Sequence, residues 1–600
     1  MARQPMSGRL AQRRAGDAAA RGRWARGAWL GAVVAAGTAC DPRAGEGAPA
    51  DPLGATASAD ARGRFVWRER GTGVDFVHRM CGSGKKLLVE ITGAGASLLD
   101  YDGDGDQDLL LCQGAALPGF DATGVDLRDR LYRNDGGWRF TDVTEATGAF
   151  DAGYTYSIAC PDVDGDGDPD LYFVNAGRNT WLRNDVATHG RFVDVTADWG
   201  AESPEWSASA AFADLDLDGD LDLYVANYVE LRLDHPGCGK LARGEAWRRY
   251  CHPDEFRPAP DRLYRNDDGR FVDVSERLGE AGKGGAGLGV VLSDYDTDGD
   301  VDLFVANDST PNFLWRNDGG FRFAEVAGEA WVAVDGSGVS TAAMGCDFGD
   351  IDGDGDFDLV VANLAMEVNT LYRNDGEGHF DDRSAASGFG PPSLLYVGFG
   401  LELFDADLDA DLDAMVANGH ISDNIHLYDP SQTFRQPPLF LTNDGSGRFK
   451  NARPEEAGRY FEAQHVARAL VVGDLDGDGD QDVVIAHWDG APALLENRTI
   501  ATPSAGEAAA PRWIALELIG QGKNRQALGA HVTVVAGGKT QIEEVRGTSS
   551  YGAFQALPLV FGLGAAAQVD RISVRWPDGR TSDHGPLPAD ARHRITQPAP

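Results

Sequence analysis

Polar and apolar positions along this 600-residue chain alternate in blocks that recur. In the stretch LLDYDGDGDQDLLL, five aspartates take every second position from Asp100 to Asp108 and then give way to an apolar run. The same order begins again at Asp162, Asp214, Asp294, Asp350, Asp405 and Asp474, at steps of 62, 52, 80, 56, 55 and 69 residues. The runs that follow read DLLLCQG, DLYFVNAG, DLYVANY, DLFVAND, DLVVANL, DAMVANG and DVVIAHW. Short stretches of branched and aromatic residues bounded by Gly, Asn and Asp are strand signals.

A second signature follows each run but the last: LYRNDGG at Leu131, WLRNDV at Trp181, LYRNDDG at Leu263, LWRNDGG at Leu314, LYRNDGEG at Leu371 and FLTNDGSG at Phe440. Asn-Asp-Gly and Asp-Gly tolerate positive φ and mark tight hairpin turns. RFTDVT, RFVDVT and RFVDVS then alternate as half-buried strands do. About four strands per repeat, seven times over, predict an all-β fold: a seven-bladed β-propeller over 63–498. A linear β-solenoid would use far shorter coils.

Charge sharpens the picture. The net charge is -40, which disfavours nucleic acid and anionic lipid as partners. Seven loops with five acidic side chains each hold 35 of the 94 Asp and Glu, and the remainder nearly balances 54 Lys and Arg. The repulsion is therefore local. Aligned, the loops read D-x-D-x-D-G-D-x-D, with Ala410 the single exception at the glycine position.

Side chains at positions 1, 3 and 5 converge only if the backbone curls back, and Gly at 6 permits the turn, so that position 9 can complete an oxygen cage. Hard oxygen donors without His or Cys point to Ca²⁺, up to seven ions, one per loop; Mg²⁺ dehydrates less readily. The expected ligands are Asp100, Asp102, Asp104 and Asp108 in the first loop and Asp162, Asp164, Asp166 and Asp170 in the second. The third and fourth offer Asp214, Asp216, Asp218 and Asp222, then Asp294, Asp296, Asp298 and Asp302. The fifth offers Asp350, Asp352, Asp354 and Asp358, and the sixth Asp405, Asp407, Asp409 and Asp413. The seventh offers Asp474, Asp476, Asp478 and Asp482.

These loops resemble the FG-GAP or VCBS repeats of the integrin α-subunit propeller, and GFGLELFDADLDADLD at Gly398 is the copy nearest to its Phe-Gly start. The resemblance implies Ca²⁺ ligation by the loop aspartates, with the metal chiefly architectural.

Seven arginines in the first 26 residues and an apolar run from Ala28 to Ala39 read as an export signal over 1–40, followed by a linker over 41–62. A cut before Cys40 would leave a lipid anchor there, although Gly37 stands where lipoprotein signals carry Leu. No other segment reaches 18 apolar residues, so an extracytoplasmic chain is expected, secreted, periplasmic or anchored at an outer surface. Export permits disulfides, and Cys238 with Cys251, thirteen apart in an insertion, is the best pair.

Beyond a small-residue linker over 499–511 the acidic loops stop. RWIALELIG, GAHVTVVAG, TQIEEVRG, LPLVFGLG and VDRISVRWPDGR predict a small β-sandwich over 512–597. GTSSYGAFQALPLVFGLG and VDRISVRWPDG look like the ASPIC/UnbV domain. With the repeats upstream, the whole mature chain resembles the cartilage acidic protein family in its bacterial form. That resemblance implies a secreted or surface protein with an adhesion or matrix role and hands over no reaction.

Two readings stay open: an exported binding or adhesion scaffold for a protein or glycan, or a polysaccharide-acting lyase or hydrolase using the propeller as platform. The second needs a convergent acid–base pair, for which His78, His420 and His487, with Asp423 or Asp489, are the candidates. Trp199, Trp206 and Trp247 lie outside the repeat pattern and are the aromatic residues to test as ligand contacts.

Overall fold

The computed structural model describes residues 63–240, 243–501 and 510–599. The expected export signal, Cys40 and the linker to residue 62 lie outside them, as do residues 502–509 of the second linker. Among the described residues every helix spans three or four residues. None is long and apolar enough to cross a membrane.

Seven four-stranded antiparallel meanders account for residues 65–497. The first runs through Ala96–Leu99, Asp108–Leu111, Arg130–Asn134 and Phe140–Asp142. The other six open on Thr155–Ala159, Ser207–Ala213, Gly287–Ser293, Cys346–Gly349, Gly398–Phe404 and Ala467–Gly473. Each opening strand packs against the next, and the seventh against the first, around a central channel. The last sheet borrows its outer strand from the start of the chain, where Phe65–Trp67 pairs with Ala493–Asn497. This is a β-propeller.

Crowding at the channel explains the small residues of the opening strands. A Cβ on Gly95 would lie 2.2 Å from the Tyr156 carbonyl, and one on Gly345 would lie 2.2 Å from that of Phe399, each in the neighbouring sheet. Only glycine permits such approach. Apolar side chains fill the spaces between sheets, as where Val360, Leu401 and Val416 meet between the fifth and sixth. Strands buried on both faces read as continuous apolar runs for this reason.

The acidic loops join first to second strands, so all seven emerge at one end of the propeller. In the first loop Leu99 stands opposite Asp108, and the same closing pair recurs as Ala213 with Asp222 and Gly473 with Asp482. At the sixth loop position Gly105, Gly167 and Gly299 have φ of 95°, 104° and 103°. Ala410 adopts 73° there, a left-handed conformation that its Cβ opposes.

The C-terminal residues form two sheets on a shared core. One is Leu559–Gly564, Arg512–Ile519 and Ala591–Thr596; the other is Lys539–Glu544, His531–Ala536, Arg571–Arg575 and Thr581–His584. Ile514, Val532, Val574 and Trp576 are buried in it. This module is not merely tethered. Its segment Thr548–Gln555 enters the propeller channel, where Ala553–Phe554 adds a parallel strand beside Ala96 and Ser97. Thr548 bonds the Ala210 carbonyl at 2.9 Å, Ser550 receives the Leu401 N–H at 3.0 Å, and Tyr551 bonds the Thr92 carbonyl at 2.6 Å.

Phe65 is fully buried against Phe404, Phe440 and Phe461 and anchors the strand that completes the last sheet. Phe65→Ala is expected to lower stability by about 3–5 kcal/mol, read by chemical denaturation. Ala410→Gly is expected to raise it by about 1 kcal/mol in the same assay, because the left-handed turn is relieved.

Candidate metal centres in the acidic loops

The first aspartate of each loop folds the chain over itself. Asp100 accepts the N–H groups of Gly103 at 2.8 Å, Asp104 at 3.1 Å and Gly105 at 2.9 Å. Asp350 repeats this with Gly353, Asp354 and Gly355. Ala410 keeps the corresponding bond, donating its N–H to Asp405 at 2.8 Å, so the departure from glycine leaves the loop intact. The fifth-position carboxylates each accept the N–H two residues on, from Asp104 with Asp106 through Asp478 with Asp480.

Position 9 ties the loop to the sheet. Asp108 accepts the Asn134 N–H at 2.7 Å on Oδ1 and the Tyr101 N–H at 3.1 Å on Oδ2. Asp170, Asp222, Asp302, Asp358, Asp413 and Asp482 bond Asn184, Asn266, Asn317, Asn374, Asn443 and Asn497 in the same way.

Carboxylate oxygens converge in the loops, as triads. Asp100, Asp102 and Asp108 place oxygens within 4.8 Å of one another, as do Asp162, Asp164 and Asp170, and Asp294, Asp296 and Asp302. In the third loop the triad is Asp214, Asp216 and Asp218. The fifth-position Asp104, Asp166 and Asp298, expected as ligands, lie outside the triads of their loops. In the fifth loop Arg373 pairs with Asp352 at 2.5 Å and Asp354 at 2.8 Å. In the sixth Arg64 bonds Asp407 at 3.0 Å, and in the seventh Trp138 donates to Asp476 at 2.9 Å.

Burial makes these charges costly. It raises the carboxyl of Asp108 to about 8, of Asp222 to about 9, of Asp358 to about 8, and of Asp162, Asp214 and Asp350 to about 7. Neighbouring aspartates push the same way within each loop. Asp294 Oδ1, Asp296 Oδ1 and Asp302 Oδ2 are buried with no hydrogen-bond partner. Further oxygens of this kind are Asp216 Oδ1, Asp352 Oδ1, Asp413 Oδ2 and Asp476 Oδ1. Orphaned, converging, all-oxygen donors fit a hard divalent cation.

Two features were not read from the sequence. The asparagine at the end of the third strand bridges sheets: Asn184 Nδ2 bonds the Tyr101 carbonyl of the preceding loop at 2.9 Å. Asn317, Asn374, Asn443 and Asn497 do likewise with Leu215, Tyr295, Ile351 and Ala406, and Asn134 closes the ring on Leu475 at 2.8 Å. In most repeats it stands before Asp-Gly and was visible there, but the turn accounted for it.

The second feature is that the C-terminal module covers the acidic face. Arg592 bonds the Gly105 carbonyl at 2.6 Å, Gln526 accepts the Asp162 N–H at 2.8 Å, and Lys523 pairs with Asp220 at 2.9 Å. Arg575 pairs with Asp294, Lys539 with Asp411 at 3.1 Å, and the His531 ring packs 5.7 Å from Phe357. Trp513 lies against Gly479. All seven loops are touched.

The candidate acid–base residues do not meet as a pair. His420 faces Gln432 at 3.0 Å, and His487 bonds Tyr460 at 2.8 Å and stacks on His465. His78 accepts the Asp489 N–H at 3.1 Å. Burial lowers His420 to about 4 and His78 and His487 to about 3. Trp199 and Trp206 are packed in cores and unavailable to ligand, whereas Trp247 sits against Tyr428 at the far end of the channel. Cys238 and Cys251 form the expected disulfide; Cys81, Cys112, Cys160 and Cys346 are buried free thiols.

The FG-GAP-like repeat family matches residues 100–173, 162–225, 294–361 and 350–416, and the ASPIC and UnbV family matches 520–600. Cartilage acidic protein 1 of Mus musculus is 25% identical over 524 residues, covering 81% of this chain and 70% of that protein. The Homo sapiens protein is 24% identical over 530 residues, covering 81% and 69%. Among solved structures, an Agrocybe aegerita lectin specific for non-reducing terminal N-acetylglucosamine shares 16% identity over 66% of this chain and 86% of that one, with a TM-score of 0.37. Over 81% of its length, then, this chain is similar to cartilage acidic protein 1, and it carries FG-GAP-like repeats followed by a C-terminal ASPIC and UnbV domain.

Proposed function

We propose that this protein is an exported, Ca²⁺-stabilised β-propeller scaffold that binds a protein or glycan outside the cytoplasm. The observation that carries the calcium reading is the fourth loop, where Asp294, Asp296 and Asp302 each bury an unpartnered oxygen within one convergent triad. A bound divalent cation would supply the positive charge that these oxygens lack. Extracellular calcium in the millimolar range would fill even weak loops. Similarity to cartilage acidic protein 1 supports an extracellular setting.

Partner binding falls to the end of the propeller opposite the loops, because the C-terminal module occupies the acidic face. At that opposite end the insertions converge. Asn424 bonds the Ala246 and Arg248 carbonyls at 2.9 Å and 2.7 Å, and Lys86 pairs with Asp423. The Cys238–Cys251 disulfide staples this rim.

At about 1000 times its dissociation constant, one cation contributes roughly 4 kcal/mol of apparent stability. Calorimetric melting in millimolar Ca²⁺ is therefore expected to exceed that in EDTA by many degrees, with several ions per chain by elemental analysis. Identical melting curves and no retained metal would refute the calcium reading.

The metal-free chain should also respond to pH in a defined direction. Carboxyls whose folded values are raised to between about 6 and about 9, from Asp474 to Asp222, favour the folded state most below their ordinary value. Stability in EDTA is expected to fall as pH rises through that window. Ca²⁺ competes with protons for the same oxygens, so its stabilising effect should grow over the same range, read as a widening gap between the two melting temperatures.

A further inference from the structure

The channel end opposite the acidic loops opens into a cavity of about 250 Å³. It is lined by the residues that follow the second strands, among them Tyr228, Asp308 and Ala365, and is overhung by Tyr250 and Tyr428 of the insertions. The other end is filled by Thr548–Gln555, whose Tyr551 ring packs 5.0 Å from Phe399 in the cavity wall. The space is thus a cup with one mouth.

Its walls are mostly apolar, with one acid, Asp308, set among them beside His252, while the exposed Arg249 and the buried His420 also border the space. Asp308 accepts hydrogen bonds from Tyr228 at 2.5 Å and from Ser309 at 2.8 Å, and no Lys or Arg ion-pairs with it among the described residues. Burial raises its carboxyl and that of Glu367, which Asp308 pushes further up and which holds the Ala342 N–H at the cavity wall. The buried Arg468, 4.0 Å over the Phe399 ring on the wall, is spent on the carbonyls of Ile91, Gly419 and Ala467. A carboxylate in an apolar wall, bonded only to neutral hydroxyls, gains most from an incoming cation.

The aromatic rings already show that affinity with the chain's own side chains. Lys86 lies 5.5 Å over Tyr250, and Lys240 and Arg249 lie 5.2 Å and 5.8 Å from the Tyr428 ring centre. A ring face beside a carboxylate recognises an organic ammonium group by cation–π attraction and ion pairing together.

We propose that this cup binds a small organic ammonium compound with an apolar body, its nitrogen on Asp308 and its body against Leu288, Met344 and Phe399. The site goes beyond the calcium scaffold and needs only the intact propeller. A mostly apolar cavity with few convergent polar groups is the usual form of a small-ligand site, and this one is at the small end of the range.

The test is isothermal titration of the full chain in Ca²⁺ with 2-phenylethylamine, N-acetyl-2-phenylethylamine and 3-phenylpropionate. The amine is expected to bind one to one, at least tenfold tighter than the neutral amide or the acid. Asp308→Asn should weaken amine binding at least tenfold, and Ala365→Phe, which fills the cup without touching the acid, should do the same. Glu455→Gln, at an exposed position outside both the loops and the cup, should leave it unchanged. No amine binding, equal binding of amide and amine, or full affinity in both cup variants would overturn the proposal. If melting proves indifferent to Ca²⁺ while the amine still binds through Asp308, only the calcium reading falls; the converse result removes only this one.

Discussion

The rest of the fold depends on the ninth aspartate of each loop. One carboxylate oxygen takes the N–H of the asparagine on the third strand, as Asp108 does from Asn134. In five of the loops, including the first, the other oxygen takes the N–H at the loop's second position. In six of the seven sheets that same asparagine then reaches across to the preceding loop's backbone, so sheet closure and sheet-to-sheet spacing share one side chain. The residues are buried, and an unmet bond there costs about 1–3 kcal/mol. The ring of Asn bridges returns from the first sheet to the last through Asn134 and Leu475.

Against that order stands electrostatic crowding. Carboxylates buried beside one another raise each other's proton affinity, and the fold meets this in three ways. Backbone N–H groups converge on the first and fifth positions, as on Asp100 and Asp104. Arginine and lysine reach in from neighbouring elements, Arg373 within the propeller and Lys523, Lys539 and Arg575 from the C-terminal module. What those leave unmet, the inward oxygens of the fourth loop above all, is the deficit that a cation would fill.

Much of this was legible in the sequence, because a repeat repeats its chemistry. Seven aspartate strings and the RND turns gave the strands their order, and the shift in pattern after residue 511 separated the second module. Cys238 and Cys251 were legible as a pair because both sit in one insertion. Position 5 differs between loops: Asp218 joins its triad whereas Asp104 lies outside its own, although each accepts the N–H two residues on. The docking of the C-terminal module was invisible, because Lys523 and Asp220, 303 residues apart, carry no mark of their meeting. The same holds for the cup, assembled from single residues at the ends of several different strands.

The channel segment has a consequence for how the chain reaches its final form. Ala96 sits in the first sheet to be synthesised, yet its parallel neighbour Ala553 is more than 450 residues downstream, and Phe65 waits for Asn497. The outer seam cannot form before Asn497 has been made, nor the channel strand before Ala553 follows it. Until the last residues arrive, the nascent ring has an uncovered inner strand and an unsealed gap, both at large entropic cost to close. Completion is therefore a late and concerted event, and a chain cut short before Thr548 would lack the stitch that locks its centre.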